Sequence, residues 1–387
     1  MAYLRSRVVN LLNLHYGIQA LATNAGGVFV IVYLLKAGVT VPVVLSAWAL
    51  IMAGRFTIRP LVLMLGKRTG IKPLVVFGTV ATALQYLMLP FVHGADPALL
   101  GLCLAGAISD VFYWTSYHAY FAALGDEESR GSQTSARESL AAMIGIVAPI
   151  LGGAALTAFG ARAAFGTVAL VQALSALPFL GTPNVAVPKA APGAYRAAKL
   201  GMLLFAADGW INAGYGVAWQ IALFVSLRES LTAYGGATGL AALFGAVAGL
   251  VLGRQIDVGR GARAVWLSYS AFLLVALARA ASLGAPDLAI LANALGAPVV
   301  CVYSPVMLAA VYNRAKAAPC SLRFHVAAEG GADVGFGLGC LLAAGMTAAG
   351  LPLSLVILTS LAGAIVSFAV LRAYYSRSET IALRPAQ

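Results

Sequence analysis

Charge is what this sequence has least of. Of its 387 residues only 10% are Asp, Glu, Lys or Arg, against 61% hydrophobic, and the mean hydropathy is +0.89. Soluble domains carry about 25% charged and 45–50% apolar residues. There is too little polar surface here to hold a chain in water, so the bilayer must be part of its solvent. Cysteine is also scarce. Cys103, Cys301, Cys320 and Cys340 show no CxxC spacing and three lie in apolar runs, which points to packing rather than to a zinc site or a disulfide framework. No GxxxxGK[ST] run is present, so ATP is not the expected energy source. No nucleophile, base and orienting group stand together, so neither an enzyme nor a cofactor is expected. The N-terminal Met-Ala-Tyr-Leu-Arg-Ser-Arg leads into a long segment without a small-residue cleavage site, and no cleavable signal peptide is expected.

Apolar runs and glycine are what is plentiful. The 42 glycines suit membrane helices that approach closely. A spanning helix needs ~20 mostly apolar residues. Breaks at glycine, proline and charge predict an all-α membrane protein with spans at 10–36, 40–65, 73–93, 97–124, 134–160, 163–182, 199–227, 232–253, 263–284, 287–313, 322–349 and 351–374. The net charge of +12 follows from topology and not from nucleic acid. With a cytoplasmic N-terminus, the cytoplasmic loops and flanks hold Arg5, Arg7, Lys67, Arg68, Lys72, Arg130, Arg137, Lys189, Arg196, Lys199, Arg254, Arg260, Arg263, Arg314, Lys316, Arg323, Arg372, Arg377 and Arg384. The opposite side keeps Lys36, Arg162 and Arg228, with Arg279 near it. That asymmetry puts both ends inside, as an even number of spans requires, and the expected location is the inner (cytoplasmic) membrane.

The chain divides in two. Residues 183–198 contain Pro183, Pro188 and Pro192 and read as a cytoplasmic linker between a six-helix bundle at 1–182 and another at 199–387. Each half has a loop of glycine and basic residues after its second span, Gly66-Lys67-Arg68-Thr69-Gly70 and Gly259-Arg260-Gly261, and each sets a glutamate early in its fifth span, Glu138 and Glu329. Such repeats are a transporter architecture.

Between spans eight and nine stands Gly253-Arg254-Gln255-Ile256-Asp257, followed by Gly259-Arg260-Gly261 and Arg263. This resembles the signature of the major facilitator superfamily, Gly-x-x-x-Asp-Arg-x-Gly-Arg. The resemblance extends over the whole chain and implies two pseudo-symmetric six-helix bundles in a secondary transporter. The first-half copy is degenerate. Leu63 stands for the first glycine and Lys67 for the aspartate, and only Arg68 and Gly70 match. The resemblance implies a gating role for Gly253, Asp257 and Arg260, joined by Arg137 and Glu138 at the start of the fifth span. Gly145-Ile-Val-Ala-Pro149-Ile-Leu-Gly152-Gly153 is similar to the end of the family's antiporter motif; a bent, closely packed helix is the other reading.

Ionisable groups deep in a membrane are costly unless paired or wet, and so mark function. In the seventh span Asp208, Asn212, Tyr215 and Trp219 fall at i, i+4, i+7 and i+11, one helical face. The fourth span sets Asp110, Trp114, Tyr117 and His118 in a similar row, and the first offers His15 and Gln19. These spans line the central cavity in the resembled family, so these residues are candidate solute ligands, with His15 and His118 equally readable as interface histidines. The eleventh span carries His325, Glu329 and Asp333 at i, i+4 and i+8. Two acids one turn apart hold a proton between them more readily than either alone, which makes Glu329 and Asp333, with Asp208 and Asp110, candidate proton carriers. A static pair with Arg279 or Arg137 is the alternative. Arg55 and Arg59 form a further i, i+4 pair in the second span.

The expectation is a monomeric, proton-coupled transporter of a small organic solute, with efflux favoured over uptake symport and a transport-inactive sensor as a third reading. The mixed aromatic and polar cavity suits an amphipathic or cationic compound.

Overall fold

The computed structural model describes residues 7–124, 130–256 and 261–382; the side chains of 122, 130–140, 249–256, 261–262 and 377–382 lie outside that description. Every described element is helical. Among the described residues ten segments are long and apolar enough to cross a membrane. One of them, Ala141–Gly181, holds two crossings, because Gly160 breaks the helix with φ 76° and ψ 170°, a conformation that suits glycine. The crossing at 199–226 is not among the ten because a π-helix at Asn212–Ala218 divides it. Splitting one and adding one takes ten to the twelve spans expected.

In chain order the spans are Arg7–Lys36, Val41–Thr69, Lys72–Phe91, Pro97–Leu124, 130–159, 161–181, 199–226, Leu231–Ile256, Gly261–Ala281, Pro286–Lys316, Ser321–Ala348 and 353–382. Local sequence sets several ends. The second span starts after the extended Thr40 with Pro42 in its first turn, and stops at Gly70, φ 80°. The fourth starts after Asp96, whose carboxylate accepts from the backbone N–H groups of His93 and Leu99, both at 2.9 Å. Those donors hold the Asp96 carboxyl below the usual carboxylate range. A depressed carboxyl contributes stability above its ordinary titration range and loses that contribution as pH falls through the lowered value.

Large apolar side chains such as Leu100, Leu104, Leu170, Leu180, Leu274 and Ile365 point outward and are exposed, as lipid contact requires. The protein is therefore a multi-pass membrane protein. Its halves meet along two seams, the second span against the eleventh and the fifth against the eighth. Gly153, at the end of the Pro149-containing motif, sits at the second of these seams, and Gly152 beside it packs on the first span. A Cβ on Gly152 would strike the Ala25 carbonyl, and one on Gly153 the Leu231 carbonyl. The seventh span rests on the eleventh just as closely, with Gly335 against the Ala206 carbonyl.

The segment between the halves runs as a strap along the basic side of the molecule. Asn184 donates to the Thr69 carbonyl at 2.7 Å, Lys72 Nζ donates to the Thr182 carbonyl at 2.8 Å, and Ile71 N donates to the Val185 carbonyl at 2.9 Å. A few residues on, Arg323 Nη2 donates to the Pro188 and Lys189 carbonyls at 2.9 and 2.8 Å. The strap thus joins the loop after the second span to the start of the eleventh.

The glycine contacts give a contrast within one helix. Gly335→Val overpacks the seventh–eleventh contact and should cost about 1–3 kcal/mol. Gly345, on the same helix, has open space where a Cβ would go, and Gly345→Ala should be neutral or stabilising. Thermal unfolding in detergent reads both; equal melting temperatures would remove the close-approach argument.

Candidate functional site

Arg55 and Arg59 lie one turn apart on the second span, and Glu329 and Asp333 one turn apart on the eleventh. The two pairs interlock across the seam. Arg59 Nη1 lies 3.0 Å from Glu329 Oε2, Arg59 Nε donates to Asp333 Oδ2 at 2.9 Å, and Arg59 Nη2 reaches the same oxygen. Arg55 Nε lies 3.0 Å from the other Asp333 oxygen in an ion pair without hydrogen-bond alignment, and Arg55 Nη1 donates to Asp110 Oδ2 of the fourth span at 3.3 Å. Thr115, one turn beyond Asp110, accepts from Arg59 Nη1 at 2.9 Å and donates to Glu329 Oε2 at 2.9 Å.

Arg59, Glu329 and Asp333 are 3%, 7% and 2% exposed, whereas the Asp110 side chain is 35% exposed. Helix rise puts Arg59 about 15 Å and Asp333 about 18 Å from the ends of their spans on the basic side, deep in the hydrocarbon region. Five ionisable groups, two positive and three negative, thus join both halves near the middle of the membrane. The carboxylate pair of the eleventh span takes its arginines from the second span. Arg279, one of the partners the sequence left open, is elsewhere, and the Arg137 side chain lies outside the description. Among the described residues two carboxylate oxygens of the cluster, Glu329 Oε1 and Asp333 Oδ1, are buried without a hydrogen-bond partner, the second still ion-paired with Arg55. His325 Nδ1, one turn from Glu329, is likewise buried without one.

Toward the basic side the same seam carries aromatic rings. His325 stacks on His118 of the fourth span, ring centroids 6.0 Å apart, and His118 on Trp114 at 5.6 Å. Asp110, Trp114 and His118 form a partly open face of the fourth span, while Tyr117 is turned inward. His15 is also turned inward. It is fully buried, with Nδ1 donating to the Ser175 carbonyl at 2.6 Å and Nε2 2.9 Å from the Tyr113 hydroxyl. A carbonyl only accepts, so the Nδ1 proton is fixed by that bond. His15 and Gln19 are buried residues of the first bundle.

The seventh-span row divides. Asp208 is half-buried and accepts a hydrogen bond from the Tyr303 hydroxyl of the tenth span. Asn212, one turn on, is exposed. This face lies between the tenth span, which Tyr303 marks, and the eleventh, which Gly209 touches through Ala332 and Phe336. Because the eleventh span also borders the second, the face looks toward the space between the bundles. Tyr215 and Trp219 do not share it. The π-helix widens the turn after Asn212 and swings them into the second bundle, where Tyr215 stacks on Phe272 at 4.5 Å and Trp219 donates to Asn293 at 2.9 Å.

Arg279 sits there too, 5% exposed, 3.9 Å over the Tyr215 ring and 4.8 Å from that of Trp219, with Nη1 donating to the Tyr215 carbonyl at 2.8 Å. A π-turn leaves backbone groups to be satisfied from outside, and Arg279 supplies a donor. Among the described residues it has no acidic partner.

Gly253 is part of the eighth span, but its surroundings are not described. Arg137 and Glu138 lie on the fifth span with undescribed side chains, and Asp257 and Arg260 lie outside the described residues. Thr115 and Tyr303 are site residues that sequence reasoning missed. The matched i, i+4 spacing of Arg55/Arg59 and Glu329/Asp333 was a usable signal for the cluster; a lone Thr and a lone Tyr gave none.

No family profile matches the sequence, and no curated protein matches it. Solved structures do. A bacterial homologue of the iron transporter ferroportin, in an inward-facing state, superposes with a TM-score of 0.67 at 16% identity, covering 96% of this chain and 99% of that one. The human organic anion transporter MFSD10 (TETRAN) gives 0.68 at 15% identity over 94% and 99%. The nucleoside transporter NupG, in a mutant form, gives 0.67 at 11% identity over 95% and 99%.

Two substitutions test the geometry. Arg59→Met leaves Glu329 and Asp333 facing each other without their main counter-charge. Breaking a buried pair this way costs about 3–5 kcal/mol; adding Glu329→Gln should restore part of the lost melting temperature, and no rescue would mean that the charges are not coupled. Arg279→Met leaves the Tyr215 carbonyl short of a donor, a loss of about 1–3 kcal/mol, and should speed amide exchange at 212–218 more than at 199–208. Uniform exchange across the span would refute that role.

Proposed function

We infer, from a chain that has the major facilitator fold, that it is a secondary active transporter driven by protons and working by alternating access. Three features support the reading: full-length likeness to transporters of dissimilar solutes, two bundles in contact along two seams, and ionisable groups at mid-depth. The observation that carries proton coupling is the odd charge count at the second–eleventh seam. Two guanidinium groups face three carboxylates, and Glu329 Oε1 has no hydrogen-bond partner. With all five ionised, the described cluster carries one net negative charge, with Asp110 at its partly exposed edge, and a low-dielectric surrounding disfavours that excess. One proton on Glu329 or Asp333 neutralises it.

The proposed cycle follows from this. While Arg55 and Arg59 grip Asp333 and Glu329, the seam is held closed. Hydration from one side of the membrane changes the protonation of the pair, weakens the grip, and lets the second and eleventh spans part around the solute. Asp110, partly exposed at the cluster's edge, is where water first reaches it. Trp114 and His118 on the fourth span and Asp208 and Asn212 on the seventh present the solute-facing polar groups. The basic residues at one set of span ends support a reading in which both termini are cytoplasmic and the protein sits in the inner membrane. Export is favoured by the Pro149–Gly153 motif.

Purified protein in proteoliposomes tests the reading. Solute flux, screened over amines, carboxylates, sugars and nucleosides, should follow an imposed pH gradient and collapse with a protonophore. Glu329→Gln should retain solute exchange at equal pH but lose gradient-driven accumulation by tenfold or more. Flux in the native protein that ignores the gradient would defeat the proton-driven mechanism.

A further inference from the structure

The solute class can be read from which charges at mid-depth are already committed. Arg55 and Arg59 are spent on three carboxylates. Arg279 is buried under Tyr215 and Trp219 with one nitrogen on a backbone carbonyl. An anionic solute therefore meets no available cation among the described residues of the membrane interior.

The reverse holds for Asp208. No described cationic group lies within ion-pairing distance of it, and its only described partner is the Tyr303 hydroxyl, which occupies one oxygen. The second oxygen is left to the half-open face between the tenth and eleventh spans. One turn along, the exposed Asn212 lays its Oδ1 over Gly216, so closely that a Cβ on that glycine would collide with it. The seventh span thus offers on one face a carboxylate oxygen about 14 Å, and an amide oxygen about 20 Å, from the end of the span on the basic side. Phe205, also partly buried on this stretch, adds apolar surface three residues before Asp208.

We propose that Asp208 and Asn212 form the binding site for the head group of an organic cation, a primary or secondary amine with an apolar body. An ammonium group carries only donors. It is satisfied by a carboxylate and an amide oxygen, and its charge offsets the one described carboxylate in the membrane interior that has neither an arginine nor a carboxylate–arginine network around it. A charge-assisted bond of this kind is about twice as strong as a neutral one, and it forms where the alternative is an unpaired ion in a low dielectric. The Tyr303 hydroxyl fixes the carboxylate from behind, and Gly216 keeps Asn212 down on the helix surface.

This inference rests on the transporter reading for its purpose but not for its test, which measures binding without a gradient. The full-length protein in nanodiscs is titrated with phenethylamine, its neutral alcohol counterpart phenethyl alcohol, and phenylacetate, followed by thermal shift and by calorimetry. The amine should bind at least tenfold more tightly than the alcohol, and the acid should not bind. Asp208→Asn should lower amine affinity tenfold or more, and Asn212→Leu should lower it severalfold; Asp208→Glu, which keeps the charge, should retain part of it. Preference for the acid or the alcohol in the native protein overturns the proposal, as does unchanged amine affinity in Asp208→Asn. If Asp208→Asn fails to fold, the native ligand series and Asn212→Leu still decide. Amine binding without gradient-driven flux would sink the transporter reading and leave the site standing; gradient-driven flux of a carboxylate would do the opposite.

Discussion

The arginine–carboxylate cluster between the second, fourth and eleventh spans is the constraint on which the rest of the structure depends. An isolated ion at this depth costs many kcal/mol, and a buried pair survives only with good geometry and its remaining hydrogen bonds met. Arg59 meets that demand by contacting Asp333, Glu329 and Thr115 at once. The second span must therefore stay in register with the eleventh to within an ångström or so. Glycine contacts pass that register on, since Gly331 and Gly335 of the eleventh span lie against the backbone of the seventh at Met202 and Ala206. The eleventh span thus touches both the cluster and the helix that carries Asp208 and Asn212.

Charge in the interior is distributed unevenly, and the inequality has a physical sense. The first half contributes both arginines and one acid, Asp110, to the seam, and the second half contributes Glu329 and Asp333. Arg279, the remaining arginine of the second bundle's interior, is withdrawn under two aromatic rings, where cation–π contact and a carbonyl replace a counter-ion. Its withdrawal leaves the seventh span's carboxylate without a guanidinium. The π-turn that Arg279 braces also separates two environments along one helix. Asp208 and Asn212 above it face the space between bundles, and Tyr215 and Trp219 below it belong to the packing of the second bundle.

Much of this was legible in the sequence, for identifiable reasons. Composition and loop charge act through free energies of transfer, which a linear chain displays directly, so the membrane-spanning class and the twelve spans could be read. The i, i+4 pairs of the second and eleventh spans were visible for the same reason, as charges where none is cheap. Their pairing was not. Arg59 and Glu329 are 270 residues apart, and helical periodicity says which residues share a face but not which faces meet. The row Asp208, Asn212, Tyr215 and Trp219 fitted an ideal helix and was divided by a π-turn that no local signal announced beyond Gly214 and Gly216. Tyr303 and Thr115 were missed because a single hydroxyl in a membrane helix is common and becomes informative only beside a carboxylate.

The degenerate loop after the second span acquires a physical account from the strap. Lys67 stands where the resembled signature has an acid, so that loop cannot offer the charge such a motif uses to hold the halves together. What holds it here is a set of side-chain donors on backbone carbonyls. Asn184 and Thr182 bind Thr69 and Lys72, and the same strap is gripped by Arg323 at the head of the eleventh span. Leu63, which replaces the first glycine of the signature, is buried with Val187, Leu322 and Val326 in one apolar cluster that includes strap and eleventh span. These contacts involve no carboxylate, unlike the cluster one to two turns deeper in the membrane. The strap thus joins the ends of the two spans on the basic side, while the ionisable groups of the second–eleventh contact lie at its middle.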